Sequence, residues 1–333
     1  MRIDVHAHYY PQSYIDLLIE LGRNDLAAYA AGQSTDFTQR LKIMDECNTD
    51  IQILSSIALD TLIEDEVGSV RACRFINDAY KEVIDAHGGR FGAFGQVPLP
   101  HVESAIAEAE RCLDQLDFQG ICMPCFYNGA PLDSSAFEPF WAAMNKRGAV
   151  IYVHPVGTHS CDCHGMADYG LHTAYGSPLQ LSVAATRLVF TGLTKRYPDL
   201  KFIFAVCGGF LPYWWTRLET NLHRGLKMTA VSAVGSKYFD WIKDLGLNSD
   251  DPMAPFRRFW YDTSVQDVPD AMRCVKNAYG ADRLLLGSDE IFGSLAEAVR
   301  YIEENEDLTA EEKHAILDEN AQALLQLPRP IGR

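Results

Sequence analysis

Eight short runs rich in β-branched and aromatic residues recur along this chain, and a longer stretch of helical periodicity follows each of them. The runs are IDVHAH at 3–8, IQILSSI at 51–57, FGAFGQV at 91–97, GICMPC at 120–125, AVIYVHP at 149–155, KFIFAVC at 201–207, FWYDTS at 259–264 and RLLLGSD at 283–289. Between them, ESAIAEAERCLDQL at 103–116 repeats Ile106, Ala109, Leu113 and Leu116 at helical spacing, and LQLSVAATRLVFTGLTKRYP does the same before its strand. Strand then helix, repeated eight times, predicts parallel strands with crossover helices, closed as a distorted (β/α)8 TIM barrel.

No Pro/Gly/Ser-rich linker, low-complexity tract or internal repeat divides the 333 residues, so 1–333 reads as a single barrel domain with insertions. Three connections, at about 9–50, 156–177 and 225–258, exceed the ~2–6 residues usual for a βα connection. Each follows the C-terminal end of a strand. That is the face on which barrels place active sites, so the surplus is expected to wall a substrate pocket there.

Charge and cysteine usage narrow the class further. Lys and Arg total 29 against 45 Asp and Glu, a formal charge of −16, and no basic cluster is long enough to track phosphates, which argues against nucleic-acid binding. The opening MRIDVHAHYY does not read as a secretion signal, and no run of ~18 apolar residues points to a membrane span. Nine scattered Cys, an odd number, fit reduced thiols and a cytoplasmic enzyme. Cys122 and Cys125 form a CxxC with no second pair to complete a zinc site, and the pair reads as structural.

His6 and His8 lie two apart on the first strand, so both side chains share one face. Alone they are as compatible with two hydrogen-bonded core residues as with a metal. The fifth strand delivers His154 to the same rim, and the eighth ends in Asp289 after a run too apolar to want a carboxylate. An unpaired buried carboxylate costs several kcal/mol, and a divalent cation relieves that cost. Three imidazoles and one carboxylate suit Zn²⁺ best, with Mn²⁺ or Fe²⁺ also compatible.

With these pieces in place, the sequence resembles the metal-dependent amidohydrolase superfamily, in the branch of 2-amino-3-carboxymuconate-6-semialdehyde decarboxylase and related aromatic-acid decarboxylases. The resemblance runs through IDVHAH, RLKIMDECNTDIQILSS, RFGAFGQVPL, FQGICM, VIYVHP, FTGLTKRYPDLKFIFAVCGGFLPYWWTRLE, LLLGSDE and NAQALLQL, nearly the whole chain. It implies one metal on His6, His8, His154 and Asp289, a small carboxylic acid substrate and a homodimer. In the related decarboxylases the sixth strand ends in a His that orients or deprotonates water, and here Cys207 in FAVCGGF is read as standing at that place. Its thiol has three readings: a ligand or nucleophile, a replacement base, or an inert filler.

The loop after the fifth strand, GTHSCDCHGMADYGLH, supplies His159, His164 and His172 as further proton-transfer candidates, and Cys161, Cys163 and His164 as a conceivable second zinc site. Arg40 and Arg217 are candidates to bind a substrate carboxylate, with helix salt bridges as the alternative. Glu290 follows Asp289 and is expected to face away from it, and Trp214 and Trp215 read as a packing helix start.

Three functions compete at this level. The first is a non-oxidative decarboxylase of a small aromatic or unsaturated acid, with Asp289 or a loop His moving the proton. The second is a hydrolase or hydratase cleaving a C–C, lactone or amide bond on the same residues. The third is a degenerate barrel that binds without catalysis, which four converging ligands argue against.

Overall fold

A computed structural model of the chain describes residues 1–31, 36–56, 63–156, 166, 168–231, 250–266, 268 and 270–327. Eight parallel strands, β1 (Ile3–His8), β2 (Ile51–Ser55), β3 (Phe91–Gly95), β4 (Gly120–Pro124), β5 (Val150–His154), β6 (Lys201–Phe204), β7 (Trp260–Asp262) and β8 (Leu284–Leu285), pair in chain order. The first and last strands meet through backbone bonds from Val5 N–H to the Leu286 carbonyl and from Asp289 N–H to the His6 carbonyl, both 2.9 Å. This is the (β/α)8 barrel that the alternation predicts.

The strands are shorter than their sequence runs for identifiable reasons. β6 stops at Phe204 because Val206 and Cys207 turn left-handed, with φ of 49° and 51°. A β-branched residue there costs on the order of 1–3 kcal/mol, and the site above β6 is where that strain is held. β8 makes its ladder over Leu284–Leu285, and Asp289 then turns left-handed with φ 57°. A two-stranded hairpin, Phe126–Tyr127 with Ala130–Pro131, follows β4 and lies outside the eightfold alternation.

Outer helices cover the barrel with one apolar face. Glu66–Ala86 buries Ala72, Cys73, Ile76, Tyr80 and Val83 at spacings of one, three and four, with Asp65 accepting from Gly68 N–H at its start. The helix expected over 103–116 spans Val102–Asp114, and its buried stripe is Ala105, Glu108, Ala109 and Cys112, while Ile106, Leu113 and Leu116 of the expected series are partly buried against the core. The reason is polar. Glu108 is drawn inward by Asn77 Nδ2 at 2.8 Å and by Arg111 and Arg74, so a fully bonded carboxylate takes the core-facing position. The periodic stretch at 179–198 divides at Gly192 into Ser177–Phe190 and Leu193–Arg196.

Of the three long connections, the first carries helices Gln12–Glu20, Asn24–Ala30 and Phe37–Glu46. Among the described residues, none from 9–50 lines the cleft over the barrel mouth. The described part of 156–177 does, through Thr173, Ala174 and Ser177. Most of 225–258 lies outside the described residues.

The barrel interior is built in layers from alternate strands. One layer is fixed by direct contacts among His6 of β1, Phe94 of β3, Tyr152 of β5 and Asp262 of β7. The Phe94 and Tyr152 rings stack with centroids 5.1 Å apart, and His6 meets Tyr152 edge-on at 5.5 Å. The Tyr152 hydroxyl donates to Asp262 Oδ2 at 2.9 Å. Two residues further along each strand, the next layer toward the mouth is His8, Gln96, His154 and Ser264.

Where the loop after β6 passes Ser177–Phe190, Gly209 has φ +71° and a Cβ there would lie 1.9 Å from the Pro178 carbonyl oxygen. Gly209→Ala is therefore expected to lower stability by about 2–4 kcal/mol, through both the overlap and the left-handed backbone. Urea unfolding checks this, and an unchanged midpoint contradicts it.

Candidate metal centre and active site

β1 carries His6 and His8 into the barrel, β5 ends on His154, and the left-handed turn after β8 swings Asp289 over the same point. The result is a cluster of four donor atoms, all within 4.8 Å of one another. His6 Nε2 lies 3.0 Å from His8 Nε2 and 3.1 Å from His154 Nε2. Asp289 Oδ1 lies 3.0 Å from His8 Nε2 and 3.1 Å from His6 Nε2. His6 and His8 are fully buried, His154 nearly so, and the Asp289 side chain is one-third exposed to the cleft.

Each imidazole is oriented by a bond from its other nitrogen. His6 Nδ1 donates to Asp262 Oδ2 at 2.9 Å, His8 Nδ1 to the Ser55 carbonyl at 3.0 Å, and His154 Nδ1 to the Pro155 carbonyl at 2.7 Å. With Nδ1 carrying the hydrogen in all three, every Nε2 lone pair points into the cluster, which is the arrangement of histidines that ligate a cation. This is the donor set of a divalent metal site: three borderline nitrogens and one hard oxygen.

The electrostatics agree. Burial and the neighbouring imidazoles hold His154 well below its ordinary range, and burial lowers His8 although Asp289 pulls the other way. His6 is the exception. Burial lowers it, but the Asp262 and Asp289 carboxylates outweigh that and raise it to about 10. Burial raises Asp289, yet His6 and His8 carry it well below the carboxylate range. The cluster thus concentrates negative charge and lone pairs that one positive ion, a proton on His6 or a metal, must balance.

Asp262 is the residue that sequence reasoning passed over. It is fully buried and, besides His6 and Tyr152, accepts from Ser264 Oγ at 2.6 Å and Val206 N–H at 3.0 Å. Its signal was present: FWYDTS places a carboxylate at a strand end, as LLLGSD does for Asp289. Asp4 forms a second buried carboxylate centre, accepting from Ser288 Oγ at 2.6 Å and Gln52 Nε2 at 2.8 Å. Burial raises it to about 6 despite those bonds.

Other expected residues fall elsewhere. Cys207 is fully buried, its carbonyl accepts from the Tyr279 hydroxyl at 3.2 Å, and its thiol is not in the four-atom cluster. Burial, with the Asp262 charge, pushes that thiol well above its ordinary range. The residue of this segment that faces the cleft is Val206, one position earlier, because the left-handed turn buries the next side chain.

Arg40 is buried, its guanidinium donating to Gln52 Oε1 at 2.6 Å and to the His8 carbonyl at 2.8 Å, while its Nη2 has no hydrogen-bond partner among the described residues. Arg217 is an exposed helix residue whose guanidinium lies 5.5 Å from the Trp214 ring centroid. Half-buried His172 opens the turn His172–Gly176 and is outside the cleft lining, whereas Thr173 and Ala174 belong to it. His159, His164, Cys161 and Cys163 lie outside the described residues. Glu290 faces a helix start as expected, accepting from Leu295 N–H at 2.9 Å.

Above the cluster opens a cleft of about 810 Å³. Val206, Phe210, Val265 and Phe292 give it apolar walls, while Ser264, Gln266 and Thr173 supply polar atoms. Among the described lining residues there is no Lys or Arg. Among the described lining residues, a cation held by the four-donor cluster is the counter-charge available to an anionic ligand.

Comparison with known proteins agrees with this architecture. A family model described as amidohydrolase matches residues 3–327. The chain is 27% identical to a 2-amino-3-carboxymuconate-6-semialdehyde decarboxylase of Dictyostelium discoideum, over 86% of this chain and 76% of that one. It is likewise 27% identical to a 6-methylsalicylic acid decarboxylase of Penicillium expansum, over 86% of this chain and 84% of that one. A crystal structure of dihydroxybenzoic acid decarboxylase from Polaromonas sp. JS666, with bound manganese and 2-nitroresorcinol, superposes with a TM-score of 0.80 at 23% identity, covering 98% of this chain and 97% of that one. With the barrel, the donor cluster and a match spanning nearly every residue, the chain belongs to the amidohydrolase family.

Proposed function

We propose that this protein is a metal-dependent, non-oxidative decarboxylase of small hydroxylated aromatic acids. The observation that carries this reading is the convergence of His6, His8, His154 and Asp289 at the floor of an apolar cleft without any described Lys or Arg in its lining. A carboxylate can enter such a cleft only toward a cation. Both named relatives are decarboxylases, and the one that acts on 6-methylsalicylic acid supports the hydroxylated aromatic substrate class.

When bound, a divalent cation supplies Lewis-acid attraction for the substrate carboxylate and an adjacent oxygen. The chain's own residues do the rest. Val206, Phe210, Val265 and Phe292 hold the ring and exclude water. Asp289, an ionised carboxylate with one oxygen among the imidazoles and its exposed edge toward the cleft, takes the proton of the hydroxyl next to the substrate carboxylate and delivers it to the ring carbon that bears that carboxylate. The C–C bond to the carboxylate then breaks, its electron pair returns to the ring, and CO₂ leaves.

Three imidazole nitrogens and one carboxylate oxygen suit Zn²⁺ or Mn²⁺, and the manganese bound in the Polaromonas structure supports Mn²⁺ as a candidate.

The seven described cysteines are all free, which supports a reducing, cytoplasmic setting, and among the described residues no helix is long and apolar enough to cross a membrane. Exposed Tyr175, Leu179 and Val183 run at four-residue intervals along one side of a helix and its lead-in turn, which supports a homodimer.

Two outcomes are expected. His154→Ala should lose most of its bound metal and all measurable CO₂ release while remaining folded, read by elemental analysis and circular dichroism; a variant with full metal content contradicts the site. Asp262→Asn should weaken metal affinity by about 10–100-fold, because a neutral amide oxygen is a weaker acceptor for the imidazole of His6 than the carboxylate that now holds it. Chelator competition measures this, and unchanged affinity means that Asp262 does not orient His6.

A further inference from the structure

Gln96 lies one residue beyond β3 and has no described role in the chemistry above. Its side chain is fully buried, yet both amide atoms, Oε1 and Nε2, lack a hydrogen-bond partner among the described residues. Leaving a buried donor and acceptor unmade costs on the order of 1–3 kcal/mol each, so the position asks for a partner that the described residues do not supply.

The layering of the barrel says where that amide stands. Phe94, two residues earlier, occupies the layer of His6, Tyr152 and Asp262, and alternation carries Gln96 to the layer of His8, His154 and Ser264. It is therefore level with the donor cluster, on the strand midway between those that carry His8 and His154. Its backbone is also clamped. Asn77 Oδ1 accepts from Gln96 N–H at 2.8 Å, and Asn77 Nδ2 donates to the Gln96 carbonyl at 3.0 Å and to Glu108 Oε1 at 2.8 Å. Glu108 is in turn held by Arg111 at 2.7 Å. This chain of bonds outside the barrel fixes the backbone of a residue whose own amide is left open inside it, the arrangement of a pre-organised contact rather than a packing residue.

We propose that Gln96 is a specificity-determining residue that touches the substrate, recognising an aromatic acid with a hydroxyl next to its carboxylate: Nε2 donates to an oxygen of the acid and Oε1 accepts from the hydroxyl. The proposal rests on the decarboxylase reading and adds the feature by which this chain chooses among such acids. An amide that offers both a donor and an acceptor is satisfied by a ligand that presents both. A plain carboxylate satisfies only the donor and leaves Oε1 unpaired.

The test uses the metal-loaded protein and its Gln96→Met and Gln96→Leu variants, titrated calorimetrically with benzoate, 2-hydroxybenzoate and 2,6-dihydroxybenzoate. The wild type should bind the hydroxylated acids about 10²-fold or more tightly than benzoate, since a site built to bond a hydroxyl rejects the analogue without it. Gln96→Met should reduce that preference to below about 10-fold, weaken benzoate far less than the hydroxylated acids, and melt at the same or a higher temperature because two orphaned polar atoms are gone. A variant that keeps the preference overturns the assignment while the decarboxylase reading stands. Equal loss of affinity for all three acids, with a lower melting temperature, shows a merely structural role. A wild type that binds none of the three overturns the substrate class and this assignment together.

Discussion

Three imidazole nitrogens and a carboxylate oxygen held about 3 Å apart in a dry interior repel one another unless a positive ion sits among them. Much of the barrel mouth can be understood as the structure that enforces this crowding. Asp262 and the carbonyls of Ser55 and Pro155 take the outer nitrogens, leaving the rings no freedom to turn away. The left-handed turn at Asp289 spends backbone strain to bring the carboxylate over the rings. Energy stored this way is returned when a cation binds, which couples metal binding to the final ordering of the site.

The same crowding is supported from below. Tyr152 and Phe94 stack beneath the rings, and the Tyr152 hydroxyl closes onto Asp262, so the layer under the cluster is half aromatic packing and half hydrogen-bonded network. On the strained side of β6, Asp262 and Ser264 bind the backbone of Val206 rather than a side chain. One carboxylate therefore fixes both the ring of His6 and the turn that presents a hydrocarbon wall to the substrate. A change at Asp262 is felt in metal affinity and in cleft shape together.

The barrel and the four donors were legible in the sequence because each depends on periods that local chemistry imposes. Alternation by two put His6 and His8 on one face, and strand ends delivered His154 and Asp289 to one rim. What was not legible depends on where a strand stops. Cys207 was read as the rim residue of β6 on the assumption that the strand ran through it, whereas left-handed Val206 and Cys207 shift the facing residue by one. The partners of Arg40, Gln52 and a backbone carbonyl of β1, come together only in three dimensions. Gln96 was hidden for the opposite reason: an amide within GQVPL looks like loop polarity until the interior layers place it level with the imidazoles.

The account's central claim is that a cation on these four residues lets Asp289 protonate a ring carbon as the carboxylate departs. Incubating the metal-loaded protein with 2,6-dihydroxybenzoate in D₂O, and following product by mass spectrometry and CO₂ by infrared absorption, tests it most directly. The account expects one CO₂ per product and one deuterium at the carbon that carried the carboxylate, with neither formed by chelator-treated protein until Mn²⁺ is restored. Product that keeps its carboxylate and gains the elements of water, or CO₂ release that survives removal of the metal, would contradict it.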